Sequence, residues 1–236
     1  MTLGPRLAQG GTMSVNRTSI LLAILLVCLT ACGTIEIKIV YPTPPGPRYQ
    51  PIPLGITANA RSDFASPPVG DMALDGVLFQ LTEQIFKSQA SSTPNDGYPT
   101  SISLPTDVPH AQKLHLLINT GNGFAQFDEQ AIGQVTITCD DTEIPVTDLR
   151  LGQEVREWQL AHNVIYTASR ARQVWVGARA DQPHLEGHID LLSLDLPAAC
   201  QEGTLTAIEI IDTSAETVGS LDPALNLFGV TIEYQQ

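Results

Sequence analysis

The chain has 236 residues, of which 43% are hydrophobic, enough apolar material to build a core and too much for a disordered polymer. Its formal net charge is −13; residues 1–31 hold two arginines and no acids, so the remainder carries −15. No run of Lys or Arg interrupts that acidity, which excludes nucleic acid as a partner, because binding to phosphate backbones draws on clustered cations.

Residues 20–29, ILLAILLVCL, form an unbroken apolar run of ten. A spanning helix needs about 20 residues, so this run has the length of an export-signal core. Arg17 precedes it, and the small residues Thr30 and Ala31 follow. Leu29-Thr30-Ala31-Cys32 resembles the lipobox of bacterial lipoproteins. The resemblance implies that residues 1–31 are a signal peptide, that Cys32 receives a diacylglyceryl thioether, and that the mature chain begins there. Met13 opens a stretch with the proportions of such a signal and is an alternative start. The expected location is extracytoplasmic, held to a membrane by the lipid on Cys32; each buried CH₂ of an acyl chain adds about 0.8 kcal/mol.

Residues 34–40 alternate weakly and read as an edge strand or as tether. Six prolines at 42, 44, 45, 47, 51 and 53 follow. Proline fixes φ and lacks an N–H, so this stretch favours polyproline II, rises about 3.1 Å per residue and stays out of a central sheet. Residues 32–51 therefore read as lipidated cysteine and tether, and 52–236 as one folded domain.

Within that domain Asp75-Gly76 marks a turn before the apolar Val77-Leu78-Phe79. Residues 81–87, and part of 153–160, read as weak helices. Residues 88–105 read as loop with a short strand at 101–104. Segment 113–158 runs as apolar strand, glycine-rich loop, alternating strand, two-acid turn, short strand and a closing tryptophan. In its middle strand Val135, Ile137 and Cys139 share one face and Gln134, Thr136 and Thr138 the other, the period of a half-buried strand. Asp140-Asp141 breaks the run before 143–146 resumes it, as in a hairpin. Further strands are expected at 173–178, 189–196, 204–211 and 227–234. The last places Phe228, Val230, Ile232 and Tyr234 on one side. Many short strands with polar turns predict an all-β antiparallel sandwich.

The order of these signals resembles the galactose-binding-like jelly roll that accompanies bacterial glycoside hydrolases. The resemblance rests on Ile52-Pro53-Leu54 with Asn59, Gly76-Val77-Leu78-Phe79, Leu114-His115-Leu116-Leu117-Ile118, the Gly133–Asp141 strand and turn, Ile144-Pro145-Val146, and Gly152 to Arg156 and Trp158. It implies a jelly-roll fold over residues 52–234 and a non-catalytic module for a glycan or cell-envelope polymer. The sequence departs from the pattern with Asp141 in place of a usual glycine and Cys139 in place of a common aromatic. The alternative is a structural or protein-interaction module with no sugar site.

Four cysteines occur. With Cys28 in the signal and Cys32 at the lipid site, an exported domain keeps two, and a Cys139–Cys200 disulfide is expected. Trp158 and Trp175 are the candidate ligand-binding residues, as platforms for a sugar ring, although Trp175 lies within an apolar strand and Trp158 where the resembled family usually has a tryptophan, so that core packing is the readier expectation for both. His184, Glu186 and His188 would share a face of a strand, but Pro183 and Gly187 make the segment read as a loop with exposed histidines. Asn119, Asn122 and Asp128 offer oxygens in what reads as an ordinary turn-rich loop. No nucleophile elbow, phosphate loop or paired-cysteine metal motif occurs, so no catalytic residue, metal or cofactor is expected.

Overall fold

The computed structural model describes residues 46–88, 97–214 and 223–235. The expected signal peptide, Cys32, the 34–40 segment and the tether as far as residue 45 lie outside the described residues.

The described residues form an all-β antiparallel sandwich. Its strands are β1 (Arg48–Ile52), β2 (Ala60–Arg61), β3 (Gly70–Leu74), β4 (Val77–Leu81), β5 (Gln84–Lys87), β6 (Ser101–Pro109), β7 (Ala111–Gly121), β8 (Ala131–Cys139), β9 (Thr142–Arg150), β10 (Ala171–Ala178), β11 (Glu186–Asp195), β12 (Thr204–Asp212) and β13 (Ala224–Tyr234). One short helix, α1 (Ala198–Glu202), links β11 to β12. The larger sheet runs β10-β11-β7-β13-β5-β2, with β1 also on β13; the smaller runs β6-β12-β8-β9. β3 and β4 make a separate hairpin.

Two apolar layers result. Between the sheets lie Leu114, Leu116 and Ile118 of β7, Val135, Ile137 and Cys139 of β8, Leu192 and Leu194 of β11 and Ile208 and Ile210 of β12. The opposite face of the larger sheet buries Leu117, Ile189 and Leu191 against Val77 and Phe79 of β4. A strand covered on both faces needs no polar side, which is why β7 and β11 read as nearly continuous apolar runs. Each buried aliphatic side chain contributes roughly 1.5–3 kcal/mol.

Prolines lie where the ladder spares them. Pro51 is in β1, Pro105 and Pro109 in β6 and Pro145 in β9, and all three strands are sheet edges. The proline-rich stretch therefore does reach the sheet: Arg48–Ile52 pairs with Val230 to Tyr234, so the fold starts inside what reads as tether. The segment expected to be weakly helical at 81–87 is instead the end of β4 and then β5, held by β2 and β13. Residues 153–160 are turns and isolated bridges with no helix. In β13 a bulge at Phe228 breaks the expected alternation. Phe228 turns to the outer layer, while Leu225, Leu227, Val230 and Ile232 face the inner one, as an extra residue must dictate in a strand of period two.

Asp140 and Asp141 have φ of +44° and +68°, so β8 and β9 are joined by a two-residue turn with both residues left-handed. The Asp140 carboxylate accepts the Thr204 N–H at 3.0 Å, which fixes the turn against β12. Beside it the structure joins Cys139 to Cys200 of α1 in a disulfide, with Cα atoms 5.2 Å apart.

Candidate functional site

β7 and β11 pair from Lys113–Asp195 up to Ile118–Asp190. Beyond that point they part, and residues 156–159 enter the gap. The Thr120 N–H donates to the Arg156 carbonyl at 3.0 Å, the Trp158 N–H to Thr120 at 2.9 Å, and the His188 N–H to Trp158 at 2.8 Å. The wedge is thus satisfied on both sides, as buried backbone must be. Gly187 is part of its design: a Cβ there would meet the Trp158 ring at 2.5 Å and Phe64 at 2.7 Å. The glycine that makes this stretch look like a loop is where an aromatic pair lies against strand β11.

On one side of the wedge stands Arg156. Its Nε and Nη2 bond Asp190 Oδ2 and Oδ1 at 2.6 and 2.7 Å. Nη1 donates to the Tyr166 carbonyl at 2.6 Å and Nη2 to Gln173 Oε1 at 3.0 Å. One guanidinium therefore locks β10, β11 and the 160–166 loop around a hollow of about 230 Å³. Three apolar side chains line it while staying open to solvent: Leu160 at 72%, Tyr166 at 56% and Val176 at 43% exposure. Glu186 and His188 also line it. His188 shares a strand face with Asp190, two residues on. Its ring is buried, and its Nε2 has no hydrogen-bond partner. Burial pushes its pKa down to about 4, although the Asp190 carboxylate works the other way.

On the other side a second hollow, of about 240 Å³, is lined by Glu157, Trp158, Gln159, Asn226 and the Asp63–Lys87 ion pair. The buried Glu157 carboxylate accepts the Gly123 N–H at 2.7 Å. Burial lifts its pKa to about 7, against the pull of that bond and of Arg179.

The tryptophans are packed into an apolar layer and do not stand as free platforms. Trp158 is 9% exposed and belongs to the outer apolar layer. Phe64 meets it edge-on at 5.6 Å, and the Arg179 guanidinium stands 5.0 Å from its ring centre. Trp175 is half-buried, with Phe64 at 4.6 Å on one side and Gly177 folded against its ring. Neither ring stands free as a platform; Tyr166 does, and nothing in the sequence marks it.

The other candidates are not brought together. His184 and Glu186 are exposed, whereas His188 is buried inside β11. Asn119 is inside β7, where its amide donates to the His188 carbonyl at 2.7 Å and accepts from Asn226 at 2.9 Å. Among the described residues no group of three His, Cys, Asp or Glu side chains is placed to hold a metal ion. A row crosses the outer face of the larger sheet: Ser193 Oγ lies 2.8 Å from His115 Nδ1, and Glu233 Oε2 lies 3.3 Å from His115 Nε2. It has the members of a nucleophile–base–acid set, but it lies across β11, β7 and β13, whose backbones are engaged in ladders with one another.

No family model and no curated protein matches the chain.

Proposed function

We propose that the chain is a lipid-anchored surface protein displaying a non-catalytic binding module, and that the hollow beside Tyr166 takes a sugar unit of a glycan or cell-envelope polymer. One observation carries the reading. Of the six large apolar side chains exposed among the described residues, three (Leu160, Tyr166 and Val176) border this one hollow. A pyranose has an apolar C–H face and a rim of hydroxyls. An aromatic and two aliphatic side chains suit the face, and the adjoining Gln173, Glu186 and Arg156 suit the rim. The resemblance to galactose-binding-like modules supports the same ligand class, and Cys32 after its apolar run supports the anchor.

The test is binding of the full-length protein to a glycan array and to isolated envelope polysaccharides, beside a Tyr166→Ala variant. Binding lost in a variant that keeps its fold supports the reading. Silence across the array overturns it. For the anchor, Cys32→Ser is expected to move the protein from the membrane to the soluble exported fraction. A second reading, a protein-interaction module without a sugar site, is favoured by the burial of Trp158 and the half-burial of Trp175. Cross-linking through Tyr166 to a surface protein, with a silent array, would establish it.

A further inference from the structure

Ser193 of β11 and His115 of β7 are cross-strand partners, and Glu233 of β13 is the partner of Lys113, two residues before His115. Side chains two apart share a strand face, so the row stands on the same face as Leu191 and Leu117 of the outer apolar layer. The ladders on either side of β7 hold it in register. Ser193 is exposed, while the His115 ring is buried.

The hydrogen bonds assign the protons. A carboxylate only accepts, so Glu233 Oε2, 3.3 Å from His115 Nε2, takes the ring N–H. Nδ1 then carries the lone pair, and the Ser193 hydroxyl, 2.8 Å away, is its donor. A base faces an exposed hydroxyl, and an acid orients the base. Those are the relations that turn a serine into a nucleophile.

The neighbours on this face are Lys113, paired with Asp195 at 3.3 Å, Arg172, paired with Asp75, and Tyr49 of β1, whose ring meets His115 edge-on at 6.0 Å. Burial holds the His115 pKa below its ordinary value; Glu233 works the other way, and Lys113 and Arg172 add to the lowering. The ring is therefore the neutral base at neutral pH.

Independently of the Tyr166 hollow, we propose that Ser193 is a nucleophile that takes an acyl group from an activated ester, with His115 as its base and Glu233 as the residue that positions the base. The Ser193 Oγ–H proton passes to His115 Nδ1 as Oγ bonds the acyl carbon. The ester C–O bond breaks, and the imidazolium returns the proton to the departing alcohol. A neutral serine ester remains, one per chain, so the step is a modification of the module and needs no turnover.

The experiment treats the full-length protein with p-nitrophenyl acetate and, separately, with a fluorophosphonate, and reads the labelled residue and its rate by peptide mass spectrometry. Ser193 is expected to take either group about a hundredfold faster than other exposed serines. Ser193→Ala should abolish that label, and His115→Gln should slow it about a hundredfold. The rate should rise with pH about a midpoint below the 6.5 of an unperturbed imidazole. Glu233→Gln, which removes the charge that raises this midpoint, should slow the label and move the midpoint lower.

Labelling spread evenly over the exposed serines overturns the inference, as does a Ser193 rate that is flat with pH and unmoved by His115→Gln. The row is then a structural chain of hydrogen bonds. Should His115→Gln fail to fold, the pH profile of the wild type and of Glu233→Gln decides.

Discussion

Arg156 and Asp190 meet fork to fork, with two parallel bonds of 2.6 and 2.7 Å between a carboxylate that is fully buried and a guanidinium that is nearly so. The pair lies where the β7–β11 pairing ends, and its arginine also lines the hollow. Removing one partner of such a pair strands the other's charge in the interior.

Asp190→Asn is therefore expected to cost about 3 kcal/mol or more of stability, read as the urea midpoint of unfolding. Arg156→Lys should recover only part of the loss of Arg156→Met, because an ammonium cannot make both bonds in one plane or also reach Tyr166 and Gln173. A loss under about 1 kcal/mol for Asp190→Asn would mean that the pair is solvated.

Glu157 and His188 oppose each other in pH. The Glu157 carboxyl is raised from 4.5 to about 7, so the stability it contributes is full below pH 4.5 and is lost as pH rises toward 7. The His188 ring is lowered from 6.5 to about 4, so its contribution is full above pH 6.5 and is lost as pH falls toward 4. Each amounts to about 3 kcal/mol across its window. Relative to wild type, Glu157→Gln should gain stability as pH rises through this range, and His188→Gln should gain it as pH falls. Asp212, also raised by burial, titrates in every variant and cancels in the differences. Two difference curves of the same slope would contradict these environments.

Reduction of the disulfide should cost about 4 kcal/mol in the chain-entropy account, given the 61 residues that separate Cys139 from Cys200. The measure is unfolding with and without reductant, beside a Cys139→Ala, Cys200→Ala double variant. An unchanged midpoint on reduction would show that the bridge adds nothing to the fold.

Much of the sandwich was legible because a strand with one wet face shows its period in the sequence. Val135, Ile137 and Cys139 lie in the inner layer as their alternation requires. The signal fails where pairing decides the structure. Gln84–Lys87 has four residues and no period to read, yet two neighbouring strands make it a strand. Phe228 follows the alternation in sequence, and a bulge turns it over. The site was less legible still. Arg156 and Asp190 are 34 positions apart, and only the parting of β7 and β11 brings them together. Tyr166 sits in an irregular stretch with no pattern around it. The apolar surroundings of Trp175 in sequence already favour core packing over a sugar platform, and a large aromatic inside an apolar layer gives up its faces to its neighbours.

The β1–β13 pairing gives the molecule a load path. A chain held at its N-terminal end passes tension to the domain first at Arg48, whose partner is Tyr234, and then through the five pairs that end at Ile52 and Val230. β13 hands it to β7 along most of its length, and β7 to β11. The Tyr166 hollow lies at the β10–β11 margin, three strands from the point of attachment. Were a polymer held there and the chain anchored as proposed, drag on it would cross the sheet from strand to strand as shear shared among many bonds. Under such a pull the five-pair ladder at β1, the shortest on this path, would be the first to peel, lengthening the chain ahead of the domain and leaving the hollow intact.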